Sequence, residues 1–550
     1  MKKLNKYFFI LAAGFSLTAC SINRTPESEF SDADFWNTET DLINASNRLY
    51  QQLDANWIDN RGDDALNTNP NAISNGTWTI PGSSGDWNDR YDEIFTANNI
   101  LEKASKASVT EAVRNRYYGE ARFFRAYAYL NLVQKYGAVP LVLKTLDYNS
   151  PELMMGRTPR VEVMKAIYDD LDFAAEWLPA RSALAAAQYG RVTKSSAWAL
   201  KARAGLFAGT WAKFHNDGEA QTHLQVAIDA AEKVLTQGHT LFPSYPNLFQ
   251  RAGEGPGNTE NILVKIFGVS STNLILGHAY SRDLENGRVA PTRNLLRQFL
   301  YTDGLPAFNT DGTPSATKSP LFVPEANETS YGTIYENRDP RFNTIIFKSG
   351  EEAYKGPWIP AVLGNGPKTA FPGKKGFNIE DWTINGAGTV DRILIRYGEV
   401  LVTLAEALYE RDNAISDADL ERTVNALRKR AGFNVKLTNA FATANNLSLR
   451  EEIRRERTVE LALEGFRYND LIRWKTAEIA LPTAMLGAKY IAADWPGQNP
   501  ASLNLNADQI VIAEPANTRS FRPNRDYLYP IPVREVNLSG GNVTQNPNWQ

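Results

Sequence analysis

The sequence predicts a mainly α-helical protein, in which paired helices form a scaffold, long irregular loops run between them and a few short strands tie them. Three observations carry this reading. Apolar residues recur at helical spacing in segment after segment, and several segments open on a capping residue. In SSAWALKARAGLF and AIDAAEKVLTQG small residues alternate with aromatic or long aliphatic ones, which lets paired helices approach closely while Trp198 and Phe207 fill the gaps. The stretches 56–87, 242–294 and 301–390 follow neither period but are rich in aromatics and Gly, which marks ordered rather than disordered loops.

The chain opens with Lys2, Lys3 and Lys6, an apolar run from Tyr7 to Leu17, and Leu17-Thr18-Ala19-Cys20. That is a signal segment, too short to span a membrane. Cys20 is the only cysteine, and its place after Leu-x-Ala is similar to a bacterial lipobox, in which the thiol is acylated. Residues 1–19 are therefore expected to be removed, 20–31 to be a lipidated flexible tether, and 32–550 to form a single domain. Several acyl chains on one residue anchor stably, because each buried CH₂ contributes roughly 0.8 kcal/mol.

Thr38-x-x-Asp41 caps a helix ending near Leu53, and further helices are expected over 88–104 and 111–136. Thr158-Pro159 starts one running to Leu178, as an N-cap followed by Pro at the first helical position. Helices over 193–212 and 222–237 make one pair, and 396–410 and 417–431 another. The small-residue pattern is similar to tetratricopeptide-type repeats, with an irregular period. Asn261 to Phe267 and Arg392 to Tyr397 read as strands.

The most informative stretch is SLREEIRRERTVELALEGFRYNDLIRWK, Ser448 to Lys475. Ser448 and Glu451 form a capping-box pattern. Glu451 and Arg455, and Arg457 and Glu460, are expected to pair along the helix. Gly465 ends or bends it. A second short helix follows, carrying Leu471, Ile472 and Trp474 inward. Arg467, Asp470 and Arg473 share a face, and a structural ion-pair role is the expectation, since no nucleophile or metal ligand accompanies them.

The 59 basic and 62 acidic residues leave a net charge of −3 and no basic footprint for nucleic acid. The lone cysteine excludes disulfides and thiolate metal sites within the chain. His215, His223, His239 and His278 follow no metal-binding spacing, and neither a phosphate-binding loop nor a nucleophile elbow occurs. No enzyme is expected and no cofactor. Asp303, Asp311 and nearby acceptors could hold a structural calcium, although no EF-hand-like spacing supports it.

Aromatics are the conspicuous resource, with 12 Trp and 23 Tyr. Trp57, Trp78, Trp87 and Tyr91 lie close together, interleaved with Asp59, Asn60, Arg61, Asp63 and Asp64. Rigid rings suit the C–H face of a sugar, and carboxylates, amides and guanidinium suit its hydroxyls. The competing reading is that these tryptophans anchor a long loop onto the scaffold. Trp358 and Trp382, in a later loop, are weaker candidates.

IRRERTVELALEGFRYNDLIRW resembles the C-terminal signature of the SusD/RagB family of glycan-binding surface lipoproteins. RYGEVLVTLAEA, NRDPRF and YLYPIPVREVNLSGGNVTQNPNW resemble the family in the expected order, and GEARFFRAYAYLNLVQKYGAVPLV resembles its N-terminal half. The resemblance implies an oligo- or polysaccharide-binding protein, anchored by lipid in the outer membrane and facing the cell exterior. It also implies a partner, a SusC-like TonB-dependent outer-membrane transporter. Relatives build their site from the N-terminal loop region and from a segment before a PT-x-x-L-like motif, here Pro291 to Leu295, which points to Tyr280, Arg282 and Arg288. The expected ligand-binding set is Trp57, Asp64, Trp78, Trp87, Tyr91, Tyr280 and Arg288. A lipid-anchored glycoside hydrolase or lyase, and a peptide-binding member of the same family, stay open as alternatives.

Overall fold

The structure is a computed structural model describing residues 35–51, 53, 58–268, 277–362, 364, 366–384 and 386–549. The expected signal segment and tether, Cys20 and Trp57 lie outside the described residues. Among the described residues no helix is long and apolar enough to cross a membrane.

The scaffold begins with α1 (Glu39–Gln51), α2 (Gly85–Lys103) and α3 (Glu111–Tyr136), followed by α4 (Arg160–Trp177), α5 (Lys194–His215) and α6 (Ala220–Leu235). Their starts follow local chemistry. The Asp41 carboxylate accepts from the Thr38 backbone N–H at 2.8 Å. Thr110 and Thr193 cap α3 and α5 with their hydroxyls. Before α4 the cap position is taken by Pro159 rather than Thr158, because the Thr158 backbone bridges Val139. Each of α2 to α6 packs on its sequence neighbour.

Glycine, more than alanine, sets the closest approach. A Cβ on Gly205 would stand 2.7 Å from the Ala227 backbone nitrogen, and one on Gly209 2.6 Å from Leu224 Cγ. So α6 lies directly against the α5 backbone.

After α6 the chain leaves the helical layer. Short helices punctuate the long loops, among them α7 (Tyr280–Glu285) and α8 (Ile379–Thr383). The chain then returns as α9 (Tyr397–Asp412), α10 (Asp417–Arg422), α11 (Val424–Arg430), α12 (Leu449–Glu460) and α13 (Arg467–Arg473). The segment expected as one helix over 417–431 breaks at Thr423, which has φ −120° and ψ −91°. α9 packs against α6 and α12.

Three two-stranded antiparallel ladders tie distant segments: β1 (Ala65–Leu66) with β3 (Ala290–Pro291), β2 (Asn261–Lys265) with β4 (Arg392–Arg396), and β5 (Met485–Lys489) with β6 (Ile510–Glu514). The two strands expected from sequence are partners, with Asn261 opposite Arg396 and Lys265 opposite Arg392. The long loops own a second hydrophobic core, centred on Tyr245, Phe249, Phe299, Phe342, Phe371 and Trp495. Their aromatics are inside, which is why they are ordered.

Between the layers lies a buried ionic lattice. Glu460, fully buried, accepts from Arg396 at 2.6 Å, from Arg341 at 3.0 Å and from Arg430. Arg396 also binds Glu260 at 3.0 Å and Glu464 at 2.8 Å, and Lys375 binds Glu464 at 2.7 Å. The helical pairs expected from spacing are therefore replaced. Arg455 pairs with Glu452, and Arg457 pairs with Asp470 at 2.9 Å. The Ser448 hydroxyl caps α12, but Glu451 does not close the box, because its carboxylate accepts from the Thr310 N–H and hydroxyl. Thr310 and Asp470, tertiary partners in a dry setting, take Glu451 and Arg457 from their neighbours on the helix, whereas Arg455 keeps a same-helix partner, Glu452. Arg467 binds Asp63 at 2.6 Å and Arg473 binds Glu406 at 2.6 Å. The structural reading of that charged face is the one the packing gives.

Two outcomes test this account. Gly205→Val should lower stability by about 1–3 kcal/mol through overpacking, while Gly257→Ala, with nothing within 4 Å of the new Cβ, should leave it unchanged; thermal denaturation reads both. Burial alone would raise the Glu460 pKa, but Arg430, Arg396 and Arg341 outweigh it and hold the carboxyl far below its ordinary value. Its contribution is then complete above about pH 4.5 and is lost as pH falls toward the depressed folded value. Glu460→Ala should cost about 3–5 kcal/mol at pH 7, because it strands buried arginines, and the gap to wild type should narrow in denaturation curves taken at progressively lower pH.

Candidate functional site

The first long loop and the later Pro291–Leu295 segment do meet. β1 pairs with β3, the Thr292 N–H donates to the Asp64 carbonyl at 2.9 Å, and the Thr292 hydroxyl donates to the Asp63 carbonyl at 2.5 Å. Most of the side chains expected to touch ligand nevertheless point inward. Asp64 is buried, and burial, with Asp63 and Asp59 nearby, raises its carboxyl to about 8 against the opposing pull of Arg467. Buried, with its charged form disfavoured, it offers no carboxylate to a ligand.

Trp87 is 4% exposed and packs on Tyr91 and, edge to face, on Tyr136 at 4.9 Å. Trp78 is half-buried between Tyr529 at 4.3 Å and Trp549 at 5.2 Å. The Tyr91 hydroxyl donates to the Pro140 carbonyl at 2.8 Å. These rings form a seam that clamps the C-terminal segment onto α2 and α3. The sequence placed sugar-stacking rings at Trp78, Trp87 and Tyr91, and the packing corrects this for Trp87, which has no free face where three segments converge. Trp78 and Tyr91, half-buried, are held in the same seam by their ring contacts.

Tyr280 is likewise 4% exposed, with the Arg392 guanidinium 4.0 Å above its ring. It belongs to the core of the loops, whereas Trp87 belongs to that of the helices. Arg288 remains in solvent, 55% exposed and paired with Asp283 at 2.9 Å.

One arrangement among the described residues that presents polar and aromatic groups together lies on α7 and α8. The Arg282 guanidinium stacks 3.9 Å over the ring of half-buried Trp382. The indole N–H donates to Glu285 at 2.7 Å, and Glu285 also receives Arg282 at 3.1 Å and exposed Lys355 at 2.8 Å. Burial would raise the Glu285 pKa, but the hydrogen bonds from Lys355, Trp382 and Arg282 hold it below its ordinary value, so it is ionised. Arg288 stands at the end of the same helix.

This platform is held firmly from below. Asn378 caps α8 through the Asp381 N–H, and its own N–H donates to the Ser281 hydroxyl at 3.0 Å. Buried Asp381 accepts from the Thr389 and Val390 backbones and from Arg251 at 2.8 Å. The His278 Nε2–H donates to the Val390 carbonyl at 2.8 Å. Burial and nearby Arg392 lower this imidazole to about 4, so it is neutral. Sequence reading had Arg282 and Trp382 in hand separately. Their junction across about a hundred residues carries no local signal.

Two carboxyls beside the platform have raised pKa values, mainly from burial: Asp391, at about 7, and Glu254. Each is engaged with backbone. Glu254 accepts from the Asp391 N–H at 3.0 Å, and Asp391 from the Phe267 N–H at 2.9 Å. Asp303 and Asp311 serve turns, accepting from the Leu305 and Thr313 N–H groups. Among the described residues no group of three or more His, Cys, Asp or Glu side chains could hold a metal ion.

Comparison with known proteins follows this geometry. The model of the SusD family matches residues 271–549, and a second model, described as starch-binding associating with outer membrane, matches residues 26–206. The chain is 25% identical to the SusD-like protein P2 of Formosa agariphila over the full length of both. Its fold superimposes on a SusD-like carbohydrate-binding protein from Bacteroides fragilis with a TM-score of 0.73 at 24% identity, covering 92% of this chain and 99% of that one. A laminarin-binding SusD-like protein matches with a TM-score of 0.62 at 20% identity, over 93% of this chain and all of the other. With a family model covering just over half of its residues, the chain belongs to the SusD family.

Proposed function

We propose that this protein binds oligo- or polysaccharide on the α7–α8 platform and passes it, unbroken, to a TonB-dependent outer-membrane transporter. The observation that carries the reading is the Arg282–Trp382–Glu285 cluster with Arg288 beside it. A half-exposed indole edge offers apolar surface to a sugar ring, while guanidinium and carboxylate offer directional bonds to its hydroxyls. The names of two relatives of the same fold, one carbohydrate-binding and one laminarin-binding, and the starch-binding description of the second family model support a glycan ligand. That description also supports association with the outer membrane. Acylation of Cys20 would supply the anchor, with the protein facing outward. Repeated epitopes along a polymer make weak single contacts sufficient.

Affinity gel electrophoresis on a panel of polysaccharides tests this. Trp382→Ala and Arg282→Ala should each weaken retention about tenfold, which is about 1.4 kcal/mol, with the thermal transition kept. Trp87→Ala should do the reverse, lowering stability by about 3–5 kcal/mol as a core truncation. Retention unaffected by both platform variants would move the site elsewhere. Incubation with the retained polysaccharide should release no reducing ends, and their appearance would favour a hydrolase. Depletion from a peptide mixture but not by glycans would favour peptide binding.

A further inference from the structure

A second, separate feature carries chemistry the platform does not use. A cavity of about 340 Å³ lies between α3, α5 and α13, with part of β4 and the Asp59–Arg61 turn in its wall. None of the three helices contributes to the platform. The volume falls at the lower end of the range for small-molecule sites, so it suits one or two rings and not a polymer. It is far larger than the space needed for a single ordered water.

The ionic groups lining it are already matched. Arg203 binds Glu399 at 2.6 Å, Arg457 binds Asp470 at 2.9 Å and Arg61 binds Asp59 at 2.7 Å. Lys135 binds Asp86, and Glu464 lies against Arg396 and Lys375. A charged ligand finds no unpaired ion among them. The carboxamides are different. Among the described residues, the Gln134 and Asn469 side chains have no hydrogen-bond partner, and Asn131 uses only one N–H, donated to the Tyr127 carbonyl at 2.9 Å. Each amide offers both donors and acceptors, the complement of a hydroxyl, which is also both. Half-buried Tyr127, Leu394 and Phe466 give the same cavity an apolar wall.

We infer that this cavity binds a neutral, polyhydroxylated small molecule, a mono- or disaccharide. Gln134, Asn131 and Asn469 would hold the hydroxyls, and the C–H face would lie on Tyr127 and Phe466. The matched charges select against acidic and amino sugars, since neither finds a free counter-charge. The site is independent of the polymer platform and would read the small saccharide pool around the protein.

Isothermal titration of the full mature chain with D-glucose, D-galactose, D-mannose, D-xylose and maltose tests this, with D-glucuronate and D-glucosamine as charged controls. At least one neutral sugar should bind saturably and more tightly than its charged counterpart. Asn469→Leu and Gln134→Leu should weaken it tenfold or more, and Trp382→Ala should not. Polymer retention in the affinity gel should show the opposite pattern, so failure of either site is read separately. Crystals soaked in the same sugars should show one in the cavity, a readout that stands even if a Leu variant lowers the thermal transition. No saturable binding by any of the five, an empty cavity after soaking, or equal binding by wild type and both Leu variants would overturn the inference.

Discussion

The structure depends on one buried cluster, the carboxylate of Glu460 held by Arg341, Arg396 and Arg430. Those arginines come from three distant places: the loop after Phe299, the end of β4 and the end of α11. Burying such charges is costly, and well-packed apolar residues could often replace them with no loss of stability. Stability in bulk comes instead from the helical and loop cores, whose buried side chains contribute about 1.5–3 kcal/mol each. What the cluster supplies is register. A guanidinium in a dry lattice accepts one geometry, so the helical layer and the loop layer meet in one way.

β4 carries that constraint to the surface. Its last residue, Arg396, sits in the lattice, while its first, Arg392, lies over the Tyr280 ring at the start of α7. Arg282 follows two residues later and covers Trp382. From lattice to platform there are thus only a short strand, one buried tyrosine and one turn of helix, all without exposed slack. The rigid support matters, because a weakly held polymer gains little if binding must first order the groups that touch it. Tyr280 therefore serves recognition as a buried footing and not as a contact.

The helices were legible because their information is local. Thr110 and Ser448 announce helix starts, and the apolar period persists for many turns. The strands at 261–265 and 392–396 were legible singly, but their pairing across some 130 residues was not. The strands at 65–66, 290–291, 485–489 and 510–514 left no readable period, two of them being only two residues long. Ion pairs failed in an instructive direction. Spacing on α12 nominates neighbours, whereas Arg341, Thr310 and Asp470 arrive from elsewhere and offer better geometry. Trp87 misleads for a related reason. A cluster of rings in a polar loop fits a binding face and a clamp equally well, and only the converging C-terminal rings, Tyr529 and Trp549, decide between them.

The distribution of charge bears on what kind of protein this is. A hydrolase needs two carboxyls whose environments hold them in different protonation states, with room for substrate between them. Here Glu460 and Glu406, both held well below the usual carboxylate range, are locked in arginine lattices; burial would raise Glu406, and Arg473 overrides it. Those of raised pKa near the platform, Asp391 and Glu254, hold backbone N–H groups. Charge in this fold is spent on shape, while the surface groups left to meet a ligand are an indole edge, guanidinium groups and a firmly ionised carboxylate. That set can grip hydroxyls and offer an apolar edge to a sugar ring.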